Sequence, residues 1–162
     1  MSSPLSILTS STGIEIVDYT TSSIIRAINV AIEGPAYIFD GHILVTEKKG
    51  IHIYRLNDGS CQMKSNVTEV FTSICLTASQ QYLLLGTKHG KLYIYQFTTG
   101  NLITIHDDHL KDITCITVDQ DEQYIITAGN DGIIHIYSFI ELINYHKYNY
   151  RSTIKPITLT DH

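Results

Sequence analysis

The chain has 162 residues, of which 43% are hydrophobic and 17% charged, and its formal net charge is −5. This length can bury one core and predicts one domain. The acidic net charge argues against a protein that binds nucleic acid over a broad surface, but it allows a local basic patch. No apolar run approaches the roughly 20 residues of a membrane span, and the N-terminus lacks the features of a signal peptide, so we expect a nuclear or cytosolic protein.

The side chains favour an all-β fold. Ile, Leu, Val, Tyr and Thr are abundant, and these residue types suit a pleated, half-buried surface. Few stretches offer good helix formers at helical spacing. The three cysteines are odd in number and lack CxxC spacing, so neither a disulfide framework nor a zinc site is indicated.

The first predicted unit covers approximately residues 5–30. Ile7–Val17 reads as two short strands around a turn that ends in Gly13, and Ile24–Ile28 is a candidate outer strand. No clear first strand precedes this pair. The second unit, approximately 36–66, begins with Ala36–Phe39 and repeats the strand pair around Gly50 in His42–Tyr54, followed by Cys61–Asn66.

The third unit, approximately 71–106, and the fourth, approximately 113–153, carry the clearest repeat. Phe71–Tyr95 aligns with Ile113–Tyr137 at a shift of 42 residues, with Gln81-Tyr82 over Gln123-Tyr124. Each unit has a glycine in the turn between its strand pair, where a tight turn often requires a positive φ; these turn glycines are Gly13, Gly50, Gly90 and Gly132, spaced by 37, 40 and 42 residues. Further glycines at 59 and 100 predict the turn into the outer strand.

Four short strands per roughly 40–45 residues is the period of a propeller blade. The chain supplies about three blades and the start of another, which we place at residue 156 with Ile157–Leu159 as its first strand. Closed propellers have roughly four to eight blades. The sequence therefore predicts a single incomplete β-propeller domain over residues 1–162, and a fragment or truncated product is favoured over closure of the open edges by another chain.

The fourth unit resembles the WD-repeat family. WD repeats commonly carry a histidine before the first strand, a serine or threonine in the second, an aspartate in the next turn and a tryptophan in the third strand. The matching positions are His109, Thr127, Asp131 and Tyr137. Tyr137 stands where the family commonly has tryptophan, a residue that this chain lacks. The resemblance implies that this set links loop, turn and strands by buried hydrogen bonds, since a buried carboxylate needs partners.

The earlier units lack the aspartate. Glu47-Lys48-Lys49 and Lys88-His89 stand at the corresponding turns. We therefore expect these units to depend on packing alone and to be less stable.

Within the WD-repeat family, the order of features is similar to that of the WD-repeat subunits of the Rix complex. The likeness lies in Tyr82–Tyr95 with Thr99–Leu102, in Tyr124–Asp131 and in Lys155–Thr158. It implies a non-catalytic scaffold in the nucleolus or nucleoplasm, acting in spacer processing of pre-ribosomal RNA and in large-subunit assembly. The implied partners are the other Rix-complex subunits, the assembly ATPase and the pre-60S particle.

No catalytic, cofactor-binding or metal site is predicted, nor a membrane or small-molecule partner. The chain contains no nucleophile elbow, phosphate loop or His-Glu-x-x-His sequence. His106-Asp107-Asp108-His109 offers metal-ligand types, but without a further ligand cluster a polar loop with a structural His109 is the favoured interpretation.

One segment mixes aromatic and basic residues, which can stack on bases and hold phosphate. It comprises Tyr145, Lys147, Tyr148, Tyr150 and Arg151. An exposed loop and outer strand of the fourth unit is the favoured interpretation, and a minor RNA or partner contact is the alternative.

Two other functions stay open: a generic WD-repeat adaptor in ubiquitin ligation, trafficking or signalling, which would be cytoplasmic, and, least favoured, an enzyme built on a propeller.

Overall fold

The computed structural model describes residues 5–47, 50–144 and 157–159. Strands make up the larger part of these residues and form four antiparallel β-sheets, and one short helix is present in the described part. The chain divides into two compact units, Met1–Glu69 and Val70–His162. The predicted all-β, partial propeller fold is confirmed, and whether the chain behaves as a single domain stays a prediction.

The first unit contains two sheets. The first sheet has three strands in the order β1 (Leu5–Ser10), β2 (Gly13–Asp18) and β3 (Ser23–Asn29). The second sheet has four, in the order β4 (Ala36–Phe39), β5 (His42–Glu47), β6 (Gly50–Arg55) and β7 (Cys61–Asn66). Each strand pairs with its neighbour in sequence, as short turns between antiparallel strands allow.

The core of the first unit forms where these two sheets share apolar side chains. Ile14 and Ile28 are opposite one another on β2 and β3, and they belong to one buried cluster with Ile43 and Val45 of β5. Tyr54 of β6 packs against the same cluster. Successive side chains of a strand point to opposite faces, so Ile43 and Val45 share one face of β5.

The second unit also contains two sheets. The third sheet orders β8 (Phe71–Leu76), β9 (Tyr82–Thr87), β10 (Lys91–Gln96) and β11 (Asn101–Asp107) side by side. The fourth sheet is built from β12 (Ile113–Val118), β13 (Tyr124–Gly129), β14 (Ile134–Ser138) and β15 (Ile157–Leu159). Helix α1 (Phe139–Asn144) follows β14 and buries Phe139 and Leu142.

The core of the second unit joins the third and fourth sheets. Leu84 and Ile94 from the third sheet belong to one buried cluster with Ile116, Ile125 and Tyr137 from the fourth. Phe139 of α1 joins this cluster and meets the Tyr82 ring edge-on at 5.2 Å between centroids. The helix therefore covers one end of the contact between the two sheets.

The placement of Ile157–Leu159 as the first strand of a further blade is wrong. These residues form β15, which pairs antiparallel with β14, so that His135 faces Thr158 across the ladder, and β15 is the fourth strand of the fourth sheet. Helix α1 carries the chain away directly after β14. The outer edge of β14 still needs hydrogen-bond partners for its backbone, and the Ile-Thr-Leu segment supplies them.

A shared irregularity supports the repeat seen in the sequence. The pairing register shifts between Ile16 and Val17, between Ile53 and Tyr54, and between Ile94 and Tyr95, each time where the strand after the turn glycine pairs with the outer strand. Such bulges bend a strand and increase its twist. The first three sheets therefore share one local design despite their low sequence similarity.

A carboxylate also joins the two sheets of the second unit. The backbone N–H and the hydroxyl of Ser79 donate to the two carboxylate oxygens of Glu122, at 2.6 and 2.9 Å. Ser79 precedes β9 and Glu122 precedes β13, so equivalent turns of the two sheets are linked.

Within the described residues, no helix is both long and apolar enough to span a membrane.

Candidate functional site

A group of buried polar side chains lies at one end of the fourth sheet, around His109. This histidine occupies the loop between β11 and β12 and is 4% exposed. Its Nδ1 lies 3.1 and 3.0 Å from the two carboxylate oxygens of Asp131, and its Nε2 lies 2.8 Å from the Thr127 hydroxyl. Because a carboxylate only accepts, Nδ1 carries a hydrogen, and the ring joins a loop, a turn and a strand.

Asp131, in the turn between β13 and β14, has four hydrogen-bond contacts. Besides His109, it accepts from the backbone N–H of Leu110 at 2.9 Å and from that of Ile133 at 3.0 Å. Burial alone would raise the pKa of this carboxyl, but the two amides and the His109 ring outweigh burial and hold the pKa below its usual value. The carboxylate is thus held charged and satisfied inside the sheet.

Tyr137 enters the group through Asp108, which the predicted WD-repeat hydrogen-bond set did not include. Its hydroxyl donates to a carboxylate oxygen of Asp108 at 3.1 Å, and the Thr127 hydroxyl is a further neighbour. Burial, followed by the negative charge of Asp108, raises the pKa of Tyr137 above its usual value. The structure therefore brings His109, Thr127, Asp131 and Tyr137 together, with Asp108 as an additional partner.

His135 is a second buried histidine beside His109. The two rings meet edge-on with centroids 4.4 Å apart. Neither ring nitrogen of His135 meets hydrogen-bond geometry with a described residue. Burial, reinforced by the neighbouring His109, lowers the pKa of His135 from its usual 6.5, although Asp108 and Asp131 oppose this shift.

Two glycines leave room for this group. A Cβ on Gly129 would lie 2.6 Å from Nδ1 of His109 and 2.9 Å from an Asp131 carboxylate oxygen, so any side chain there would displace the pair. A Cβ on Gly90 would collide with the backbone carbonyl of His109, and Gly90 also has a φ of +81°. The alignment highlighted Gly90 as a turn residue, but nothing in it showed that Gly129 lines the group.

The four turn glycines do not share one conformation. Gly50, Gly90 and Gly132 have φ values of +155°, +81° and +79°, whereas Gly13 has no positive φ. At Gly13 the requirement is close approach, since a Cβ would lie 2.7 Å from the carbonyl oxygen of Ile28. The positive φ expected at Gly13 is therefore wrong, and a steric demand replaces it.

The expectation that the second sheet depends on packing alone is also wrong. At the end of β5, the Glu47 carboxylate accepts from the Tyr54 hydroxyl at 3.3 Å and is paired with the ring of His52. Burial, followed by the charge of Glu47, raises the pKa of Tyr54 to about 12. A glutamate, which is one methylene longer than aspartate, reaches β6 directly from its own strand, and a loop histidine is not needed.

The third sheet has no equivalent group among its described residues. Leu85 takes the place of Thr127 and is fully buried, while Lys88 and His89 at the turn are exposed. Its third strand carries two stacked tyrosines instead, Tyr93 and Tyr95, with ring centroids 6.3 Å apart. Polar contacts are present here too, since the Thr72 hydroxyl donates to the Ile113 carbonyl at 2.7 Å and the Lys91 backbone N–H donates to the Thr87 hydroxyl at 3.0 Å. The expectation of packing alone is therefore wrong for this sheet as well.

The basic and aromatic segment lies outside the described residues. This applies to Tyr145, Lys147, Tyr148, Tyr150 and Arg151, and also to Lys48 and Lys49. The part of the chain that is described holds no group of three or more His, Cys, Asp or Glu residues arranged to bind a metal ion. In the His106–His109 segment, Nε2 of His106 contacts the Thr104 hydroxyl at 3.2 Å, and both nitrogens of His109 are engaged as above.

The chain matches a family model and several curated proteins. The Vps41 propeller model, described as "Vps42 beta-propeller", matches residues 55–162. Pre-rRNA-processing protein pro-1 of Caenorhabditis briggsae is 28% identical over 106 residues, which is 64% of this chain and 20% of that protein. Pre-rRNA-processing protein IPI3 of Candida albicans is 37% identical over 59 residues, 36% of this chain and 12% of that protein. The chain therefore spans about a fifth or less of these relatives' length, and the resemblance predicted from the sequence is confirmed.

Solved structures agree on the fold. A computationally designed protein, Ika8, has a TM-score of 0.72 at 14% identity over 86% of this chain and 44% of its own. Another designed protein, Ika4, has a TM-score of 0.71 at 14% identity over 86% of this chain and 88% of its own. At this identity the likeness concerns the fold alone.

Proposed function

We propose that this chain, which belongs to the Vps42 β-propeller family, is a non-catalytic WD-repeat scaffold, a subunit of a Rix-type complex in pre-rRNA processing and large ribosomal subunit assembly. The observation that carries this proposal is the similarity to relatives named for pre-rRNA processing in several organisms, which include pro-1 and IPI3. A nuclear location follows from such a role.

The geometry around His109 supports a structural use of the polar residues. Both ring nitrogens of His109 are hydrogen-bonded, and the Asp131 carboxylate accepts hydrogen bonds from two backbone amides and the His109 ring. A catalytic base needs an accessible nitrogen or oxygen within reach of a substrate proton. These side chains instead hold the loop, the turn and the strands of one sheet in place.

The expected partners are proteins: the other subunits of a Rix-type complex, the assembly ATPase and the pre-60S particle. A rigid sheet surface can bind with little ordering cost, which suits a scaffold. The net charge of −5 disfavours broad contact with RNA. We assign any RNA contact to the basic and aromatic segment Tyr145–Arg151.

A tagged chain expressed in its cells of origin tests the proposal. Pulldown should recover large-subunit precursors and RNA that retains the internal transcribed spacer. Replacing Lys147 and Arg151 by glutamate should keep the protein partners and weaken RNA crosslinking, because phosphate contacts are lost. A matched control replaces Lys64 and Lys111, two exposed lysines, by glutamate. Recovery of no pre-ribosomal component would refute the proposal.

A second candidate function is a WD-repeat adaptor in another complex. The observation in its favour is a relative named UBP9-binding protein bun62 of Schizosaccharomyces pombe, 27% identical over 85 residues, 52% of this chain and 15% of that protein. In that case the same pulldown would recover ubiquitin-pathway or trafficking proteins in place of ribosome precursors. The tagged protein would then lie in the cytoplasm.

A further inference from the structure

Each unit contains the same type of contact between its two sheets. In the first unit, Ile14 and Ile28 of the earlier sheet pack against Ile43, Val45 and Tyr54 of the later sheet. In the second unit, the earlier sheet contributes Leu84, Leu92 and Ile94, and the later sheet contributes Ile116, Ile125 and Tyr137. In both, the later sheet presents the face that carries the third-strand tyrosine.

The pairing register defines the two faces. On the fourth sheet, Ile125 is opposite Tyr137, and Thr127 is opposite His135; we call this side the tyrosine face. The other side pairs Ile126 with Ile136 and Ala128 with Ile134, and we call it the isoleucine face. An internal contact therefore joins the isoleucine face of one sheet to the tyrosine face of the next.

Several described residues of the isoleucine face of the fourth sheet are exposed. Ile134 is 40% exposed, and Cys115 and Thr117, which stand opposite Ala128 and Ile126, are exposed as well. The opposite side of the same sheet is buried, with Tyr137 only 2% exposed. The fourth sheet thus exposes to solvent the kind of face that packs on a tyrosine face within each unit.

The first sheet shows the reverse pattern. Its isoleucine face is buried, with Ile14 at 0% exposure and Ile16 at 5%. On the other side Leu8 is opposite Glu15, and Val17 is opposite Ile24, where Leu8 is 54% and Ile24 is 58% exposed. Val17 stands four residues after Gly13 as Tyr54 does after Gly50, so this side is the tyrosine face of the first sheet, with valine in place of tyrosine.

We propose that the isoleucine face of the fourth sheet in one copy of this chain packs on the tyrosine face of the first sheet in a second copy. The two uncovered faces are the complementary halves of a contact that the chain makes within each unit. Exposed apolar patches of this kind mark association surfaces. Contacts between two different patches on identical chains are heterologous, so copies associate head to tail.

The length relationship with the two designed proteins, Ika4 and Ika8, points to the same occupant. The chain corresponds to 88% of the Ika4 chain and to 44% of the Ika8 chain. Two copies therefore correspond in length to nearly the whole of Ika8. This inference does not depend on the proposed role in ribosome assembly.

The first measurement is the mass in solution of the 162-residue chain. Sedimentation equilibrium at about 100 μM, where micromolar association is well populated, should give at least twice the 18.2 kDa of one chain. A mass of one chain at this concentration would overturn the proposal and leave further sheets of a longer polypeptide as the cover for these faces.

Two variants test which faces meet. Leu8→Glu places a charge on the tyrosine face of the first sheet, and Ile134→Glu places one on the isoleucine face of the fourth. Each variant alone should sediment as a single chain, because every contact needs one face of each kind. An equimolar mixture should regain a two-chain species, because one intact pair of faces remains. Leu110→Glu, at a loop position that is 85% exposed, is the matched control and should associate like the wild type.

Other outcomes overturn the proposal. If Leu8→Glu abolishes association and Ile134→Glu does not, like faces pair with each other. If neither variant changes the mass, the association uses another surface. Circular dichroism checks that each variant is folded, and Ile24→Lys with Thr117→Lys repeats the test at neighbouring positions of the same two faces.

Discussion

His109 holds Asp131 through its Nδ1 atom, 3.0 Å from the nearer carboxylate oxygen, so the loop before β12 is fixed to the turn before β14. The carboxylate of Asp131 also accepts from two backbone N–H groups. The side chain is only 4% exposed, so water cannot readily replace it.

Asp131→Ala should lower the free energy of unfolding by about 1–3 kcal/mol, because it leaves buried donors without an acceptor. Urea unfolding at neutral pH measures the change. Asp121→Ala removes an exposed carboxylate from the turn between β12 and β13 and should have little effect. An unchanged unfolding midpoint for Asp131→Ala would show that the carboxylate has no structural role.

Tyr137→Phe should cost about 1.5–3 kcal/mol, the net value of a hydrogen bond to a charged group. The substitution keeps the buried ring and removes only the hydroxyl that donates to Asp108. Tyr124→Phe removes the hydroxyl of a tyrosine that is 49% exposed in the same sheet and serves as the control. Equal stability of both variants would mean that the Asp108 contact contributes nothing.

Glu47→Gln should destabilise the first unit by about 1–3 kcal/mol, since a charged acceptor for Tyr54 and His52 becomes a neutral amide. Glu33→Gln makes the same change at an exposed residue. Hydrogen exchange followed by mass spectrometry can assign the loss to peptides from β5 and β6. Faster exchange confined to the second unit would contradict the role of Glu47.

His135 should make stability dependent on pH in the acidic range. Its folded pKa is lowered from 6.5, so the unfolded chain binds this proton more readily, and stability falls as the pH drops below 6.5. His135→Leu should therefore reduce the loss of unfolding free energy between neutral pH and pH values below 6.5. His89→Leu, at an exposed histidine, should keep the wild-type dependence; an identical pH profile for both variants would exclude His135 as a source.

Local pattern was enough to predict most of the strands. Alternating residues such as those of Ile51–Tyr54, and turns that end in Gly90 or Gly132, depend on short-range geometry, which the sequence displays directly. The proximity of His109 to Asp131 also followed, because the WD-repeat spacing encodes it.

Contacts without a repeated spacing were missed. The Asp108 partner of Tyr137 and the pairing of Glu47 with His52 depend on which way a side chain turns at the end of a strand. The pairing of β15 with β14 depends on α1, a six-residue helix too short to leave a clear periodic pattern. The close approach of His109 and Asp131 to Gly129, which a side chain at that position would prevent, is likewise a property of the assembled sheet.

The connection between β14 and β15 has a consequence for folding kinetics. In the other strand pairs of the four sheets, a short turn links the two strands. Such local contacts form early, because closing a short loop loses little chain entropy. The β14–β15 pair must close a longer loop that includes α1. We therefore expect β15 to dock last and to be the first strand released on unfolding, so that the fourth sheet opens at its outer edge while the His109 group is still intact.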